Sequence, residues 1–149
     1  MIVIGGVVFL CIGLALVISC VVTGEDAWAS RRWSKTQGEI ISCELRRGIG
    51  VDGDPLYGIN VRYRFVHTGI EWIGMRAYFG DTFLVPAPSA LGPRRRMNYK
   101  IGEIVNVSYD PASPNDAVLE PGIQPVLLYV LFLGLVFTTF GIIALGIRG

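Results

Sequence analysis

Charge is what this chain has least of. Asp, Glu, Lys and Arg make up 17% of its 149 residues, against 52% hydrophobic. No charged side chain occurs from Ile2 to Val22 or from Ile123 to Ile147. Spans without Asp, Glu, Lys, Arg or His lack the groups that mark proton relays and ion paths, which excludes a pump or pore built from this chain alone. The net charge of +1 supplies none of the basic excess that nucleic acid binding demands. Histidine occurs once, at His67, too few for the common zinc ligand sets. The three cysteines make no disulfide framework, because Cys11 and Cys20 fall in the first uncharged run and leave Cys43 alone. Cys43 reads as a small strand hydrophobe.

What is present is organised by those two uncharged runs. Each reaches the roughly 20 residues that a helix needs to cross about 30 Å of hydrocarbon. The expected plan is a transmembrane helix over 1–23, an interfacial segment over 24–36, a β domain over 37–120 and a second transmembrane helix over 123–148. Val17-Ile18-Ser19-Cys20 resembles a lipoprotein cleavage box, but the basic segment that precedes such boxes is missing, and a retained anchor is expected. Pro125 suits the first turn of the second helix, where its missing N–H is not needed.

Glycine is patterned within the helices. Gly6 and Gly13 are seven apart, as are Gly134 and Gly141, with Thr138 between the latter pair. A spacing of seven returns to nearly the same face, and small residues on one face let backbones approach closely in lipid. These five positions are the expected helix-packing residues, between the two helices or against a partner subunit. Next to the first helix, Trp28, Arg31, Arg32, Trp33 and Lys35 form an interfacial anchor, with amphipathic rings at headgroup level and cations on phosphates.

The middle of the chain alternates with period two, the mark of half-buried strands. Ile41, Cys43 and Leu45 alternate with polar residues, and so do Tyr57, Ile59, Val61, Tyr63 and Phe65. His67-Thr68-Gly69-Ile70 predicts a hairpin turn, with a return strand over 70–79. Val105, Val107 and Tyr109 predict an inward face, leaving Asn106, Ser108 and Asp110 outward. Ser113 to Asp116 is expected as a turn, followed by a short strand from Ala117 to Leu119. The fold class is therefore membrane α+β: two transmembrane helices flanking a small antiparallel β-sheet or open β-barrel.

The segment over 80–103 contains three prolines and two glycines from Asp81 onward and predicts a long excursion, the best candidate for a contact surface. Its run Arg94-Arg95-Arg96 is the candidate contact for a partner protein or for anionic lipid headgroups. Asp52-Gly53-Asp54-Pro55 fails the spacing of a calcium loop and reads as a turn. The acidic residues among the prolines of 110–121 are too dispersed to cage a cation. No catalytic, metal or cofactor-binding residue is assigned, and no cofactor is expected.

Two motifs resemble the bacterial membrane family known as domain of unknown function 3592. One is Trp33-Ser34-Lys35-Thr36-Gln37-Gly38-Glu39-Ile40 with Ser42. The other is Gly102-Glu103-Ile104-Val105-Asn106-Val107-Ser108-Tyr109-Asp110-Pro111 with Pro114, Ala117 and Leu119. The resemblance covers about residues 28 to 122 plus the flanking helices. It implies two transmembrane helices around a small β domain in a bacterial membrane, and carries no catalytic or ligand residues over. Arg94 to Arg96 and the VPAP segment at Val85 are outside its pattern.

The functional expectation is a non-catalytic accessory or scaffolding subunit of a larger membrane complex, with the bilayer and other membrane subunits, or copies of itself, as partners. The alternative is a membrane-anchored module that binds a ligand or lipid headgroup near Arg94 to Arg96. The expected location is the bacterial inner membrane, with the β domain on the extracytoplasmic side.

Overall fold

The structure is a computed structural model that describes residues 2–86 and 99–146. Helix α1 runs Ile2–Ala29 and helix α2 runs Pro125–Gly146. Both are long and apolar enough to cross a membrane. α1 continues about two turns beyond the uncharged run, because Glu25, Asp26, Ala27 and Ala29 offer nothing that breaks a helix. A single 3-10 turn over Ser30–Arg32 ends it, and Trp33 is already extended.

The strands are β1 (Ser34–Ile49), β2 (Pro55–His67), β3 (Ile70–Gly74), β4 (Val85–Pro86), β5 (Ile104–Asp110) and β6 (Ser113–Val118). They form an open antiparallel sheet in the order β3-β2-β1-β5-β6, with the two-residue β4 paired to the far end of β2. The fold is α+β, two long apolar helices flanking a five-strand sheet. Thr68 (φ 51°) and Gly69 (φ 79°) make the tight β2–β3 turn, the left-handed pair that matches strand twist.

The return strand is shorter than the alternation predicts. β3 stops at Gly74, whose missing side chain leaves room for the ring of its cross-strand partner Tyr63. Residues beyond it cross to the opposite edge of the sheet. Leu119 N–H donates to Arg76 O at 3.3 Å and Glu120 N–H to Ala77 O at 2.9 Å. The sheet therefore curls until its two outer strands are tied together.

Two register details differ from strict alternation. A bulge at Ile41 in β1 puts Ile40 inside, at 1% exposure, and leaves Ile41 at 40%. An extra residue on one strand shifts which side chains face the core. At the other end, the turn lies at Asp110 to Ala112 and not over Ser113 to Asp116. The Asp110 carboxylate accepts the Ala112 N–H at 2.9 Å, which satisfies the turn locally and frees Ser113 onward to pair. Pro114 is accommodated because β6 is an outer strand.

Tyr63, Phe65, Val61, Val107 and Tyr109 fill the inner face of the sheet, and Cys20, Val126 and Val130 of the helices belong to the same cluster. The domain core thus runs without a break into the helix ends. Ser108, expected outward, is buried at 3%. It pairs with Val118, on the side where Ala27, Phe79, Val118 and Leu127 form a second cluster.

Candidate functional site

The five helix-packing residues come together between α1 and α2. A Cβ on Gly13 would stand 2.5 Å from the Thr138 backbone nitrogen, and one on Gly141 would stand 2.7 Å from the nitrogen of Leu10. At Gly134 the nearest atom would be Val17 Cγ2, at 3.0 Å, and at Gly6 it would be Ala144 Cβ, at 3.2 Å. Thr138 donates its hydroxyl to Gly134 O at 2.8 Å, within its own helix. Both glycine faces are thus occupied by each other.

The five anchor residues divide. Trp28 is 56% exposed, and the Arg31 guanidinium carbon lies 5.0 Å from its ring centroid, a cation–π stack. Arg32 and Lys35 are exposed. Trp33 turns inward instead, edge-on to Phe79 at 6.0 Å. Between them sits Ser30, a residue that the motif reading passed over. Its buried hydroxyl donates to Ala27 O at 2.7 Å and accepts the Gly122 N–H at 2.9 Å. One side chain thereby ties the end of α1 to the lead into α2. No local signal pairs positions 92 residues apart.

Arg94, Arg95 and Arg96 lie outside the described residues. The chain on either side of them is placed. β4 pairs with Leu56 and Tyr57, and Gly102 N–H returns to Ile40 O at 2.8 Å.

His67 and Cys43 are engaged in the domain. His67 Nδ1 is 2.9 Å from the Tyr109 hydroxyl, with the rings 4.8 Å apart. Cys43 is half-buried beside Val61 in β1. Among the described residues, no three His, Cys, Asp or Glu side chains are grouped to hold a metal.

Asp81 anchors the segment that closes the sheet. Its carboxylate accepts the Ala77 N–H at 2.8 Å, and its carbonyl accepts from Arg46 Nη2. Burial pushes the Asp81 carboxyl above its ordinary range, against the opposing pull of the Ala77 N–H and of Arg76. Burial likewise raises the Tyr63 hydroxyl, which donates to Arg76 O at 3.0 Å.

Away from the end at Ser108 and Val118, the sheet's outer face is exposed. Glu39 on β1 and Arg64 on β2 form an ion pair at 2.7 Å there. Around it stand Val66 at 56%, Ile73 at 46% and Ile104 at 61% exposure. Arg64 pairs with Ile73, and Glu39 pairs with both Arg64 and Ile104, so these side chains share one face. This apolar patch was missed because Val66, Ile73 and Ile104 occupy positions that alternation assigns to polar residues.

Fold and surface define a class: a small antiparallel sheet set directly on a pair of apolar helices, with part of one sheet face left exposed among the described residues. The family follows from the sequence comparison. The model named Domain of unknown function (DUF3592) matches residues 36–124, and the chain belongs to that family. No curated protein matches the chain.

Proposed function

We propose that the protein is a non-catalytic accessory subunit of a larger complex in the bacterial inner membrane. α1 and α2 anchor it, the β domain stands on the extracytoplasmic side, and the outer face of the sheet holds the partner. The observation that carries this reading is the exposed trio Val66, Ile73 and Ile104 around the Glu39–Arg64 pair. Clustered exposed apolar side chains mark protein contacts, and an ion pair among them offers charges that a complementary partner can recognise. Because the glycine faces of α1 and α2 are used against each other, the contact falls on the domain.

Purification of the full chain in mild detergent tests the proposal. We expect a second polypeptide in fixed ratio, reduced about tenfold by Ile104→Glu or Val66→Glu, the loss that one buried anchor residue produces. Both variants should reach the membrane at wild-type levels, since both side chains are exposed. A wild type recovered as a monomer would sink the proposal. Undiminished recovery with both variants would remove the contact from this face.

A further inference from the structure

Where α1 and α2 meet the domain, a groove of about 370 Å³ opens between them. Cys20, Gly24, Leu127 and Leu131 line its lower part, and Glu25 and Trp28 stand at its upper end. Almost every lining atom is apolar, and the volume falls in the range of about 300–1,000 Å³ typical of ligand sites. The helices still touch at its floor, where Cys20 Sγ lies 3.5 Å from Leu127 O. One turn further on, a Cβ at Gly24 would meet nothing within 4 Å. Gly24 is therefore not required by helix packing, unlike Gly13 or Gly141, and its effect is to leave this space open.

Position dictates the chemistry of an occupant. Cys20 belongs to the uncharged run, while Glu25 and Trp28 lie beyond its end at Val22. The groove thus crosses from hydrocarbon to headgroup level, and an occupant needs an apolar tail below and a polar head above. Glu25 brings one carboxylate to the groove, and just beyond its lining the Arg31 guanidinium lies over the ring of Trp28, 5.0 Å from the centroid. That pair complements a head bearing one ammonium and one phosphate. From Cys20 to Trp28 the groove is about 12 Å long at 1.5 Å per residue, room for a headgroup and the upper part of one acyl chain.

We propose that this groove binds one zwitterionic phospholipid with a primary-amine headgroup, its acyl chain on Gly24 and Leu131, its ammonium on Glu25 and its phosphate on Arg31. The inference rests on the membrane placement proposed above, but not on the partner complex.

Native mass spectrometry of the full chain in mild detergent, supplied with phosphatidylethanolamine, phosphatidylcholine or phosphatidylglycerol, tests it. The wild type should retain one phosphatidylethanolamine in preference to the other two by about tenfold, the scale of one charge-assisted contact. Gly24→Leu should lose the retained lipid, while Gly5→Leu, where a Cβ also meets nothing within 4 Å, should keep it. Glu25→Gln should abolish the preference over phosphatidylcholine without abolishing binding. Equal retention by Gly24→Leu, preference for phosphatidylglycerol, or a polypeptide held in place of lipid would overturn the proposal. Release of the chain from membranes by alkaline carbonate would instead refute the membrane placement itself.

Discussion

Asp81 shows how a single side chain makes stability depend on pH. It is enclosed by the segment that ties β3 to the far edge of the sheet, and burial raises its carboxyl above the ordinary value of 3.8. The folded state therefore keeps the proton to higher pH than the unfolded chain does. Between 3.8 and the raised value the folded form binds more protons, so this group's contribution to stability falls as pH rises through that window. Above the window the loss is constant. Asp81→Asn keeps an acceptor for the Ala77 N–H and removes the titration. Thermal melts from pH 4 upward should show the variant losing the wild type's decline and at least matching its stability at pH 7. An Asn variant that retains the wild-type pH profile and melts lower at pH 7 would show that the Asp81 charge is favourable. Neither the burial of Asp81 nor the Ser30 bridge to Gly122 was visible in the sequence, because each depends on where a distant segment lands. The Thr68-Gly69 turn was visible, because its left-handed geometry is chosen by the residues that make it.

At the scale of elements, the contact between α1 and α2 is decided by backbone proximity. A Cβ at Gly13 would lie 2.5 Å from Thr138 N and 2.8 Å from Gly134 O, and backbone atoms cannot give way as a flexible side chain can. Gly13→Ala should separate the helices and cost about 1–3 kcal/mol, the usual range for overpacking. Gly5→Ala serves as the comparison, since its Cβ meets nothing. It should be neutral or gain up to about 1 kcal/mol from helix propensity. Thermal unfolding in detergent separates the two, and equal melting temperatures would contradict the packing account. The two helices and the main strands were legible because their hydrophobic periods are long and uninterrupted. The bulge at Ile41 was not: Ile40 and Ile41 are both apolar, and either could face inward until the register with Tyr63 and Arg62 is fixed. The burial of Ser108 was hidden for a related reason. Alternation presumes one covered face, whereas this end of the sheet is covered on both, by the domain core and by the cluster of Ala27, Phe79 and Leu127. The open patch of Val66, Ile73 and Ile104 is the converse, apolar residues on a face left uncovered.

For the whole molecule, the side of the membrane on which the domain stands is set by how the chain was inserted. Both helices join the domain at one end, so the start of α1 and the end of α2 lie together, on the far side of any bilayer that the pair crosses. Cations hold short flanking segments in the cytoplasm, while segments longer than about 60 residues translocate largely regardless of charge. Arg31, Arg32 and Lys35 belong to the long segment between the helices, about 100 residues from Thr23 to Gly122. The orientation proposed above, with the domain outside, is compatible with those cations because they belong to that long segment. Asp52 is exposed at the tip of the β1–β2 ribbon, and a substitution there disturbs no packing. Asp52→Cys should react with a membrane-impermeant maleimide in intact cells to the same extent as after lysis. The wild type sets the background, because Cys20 is buried, Cys43 is half-buried and Cys11 lies within the span of α1. Reaction only after lysis would place the domain in the cytoplasm. In that case Arg31, Arg32 and Lys35 governed insertion, and the partner proposed for the outer face of the sheet is to be sought in the cytoplasm.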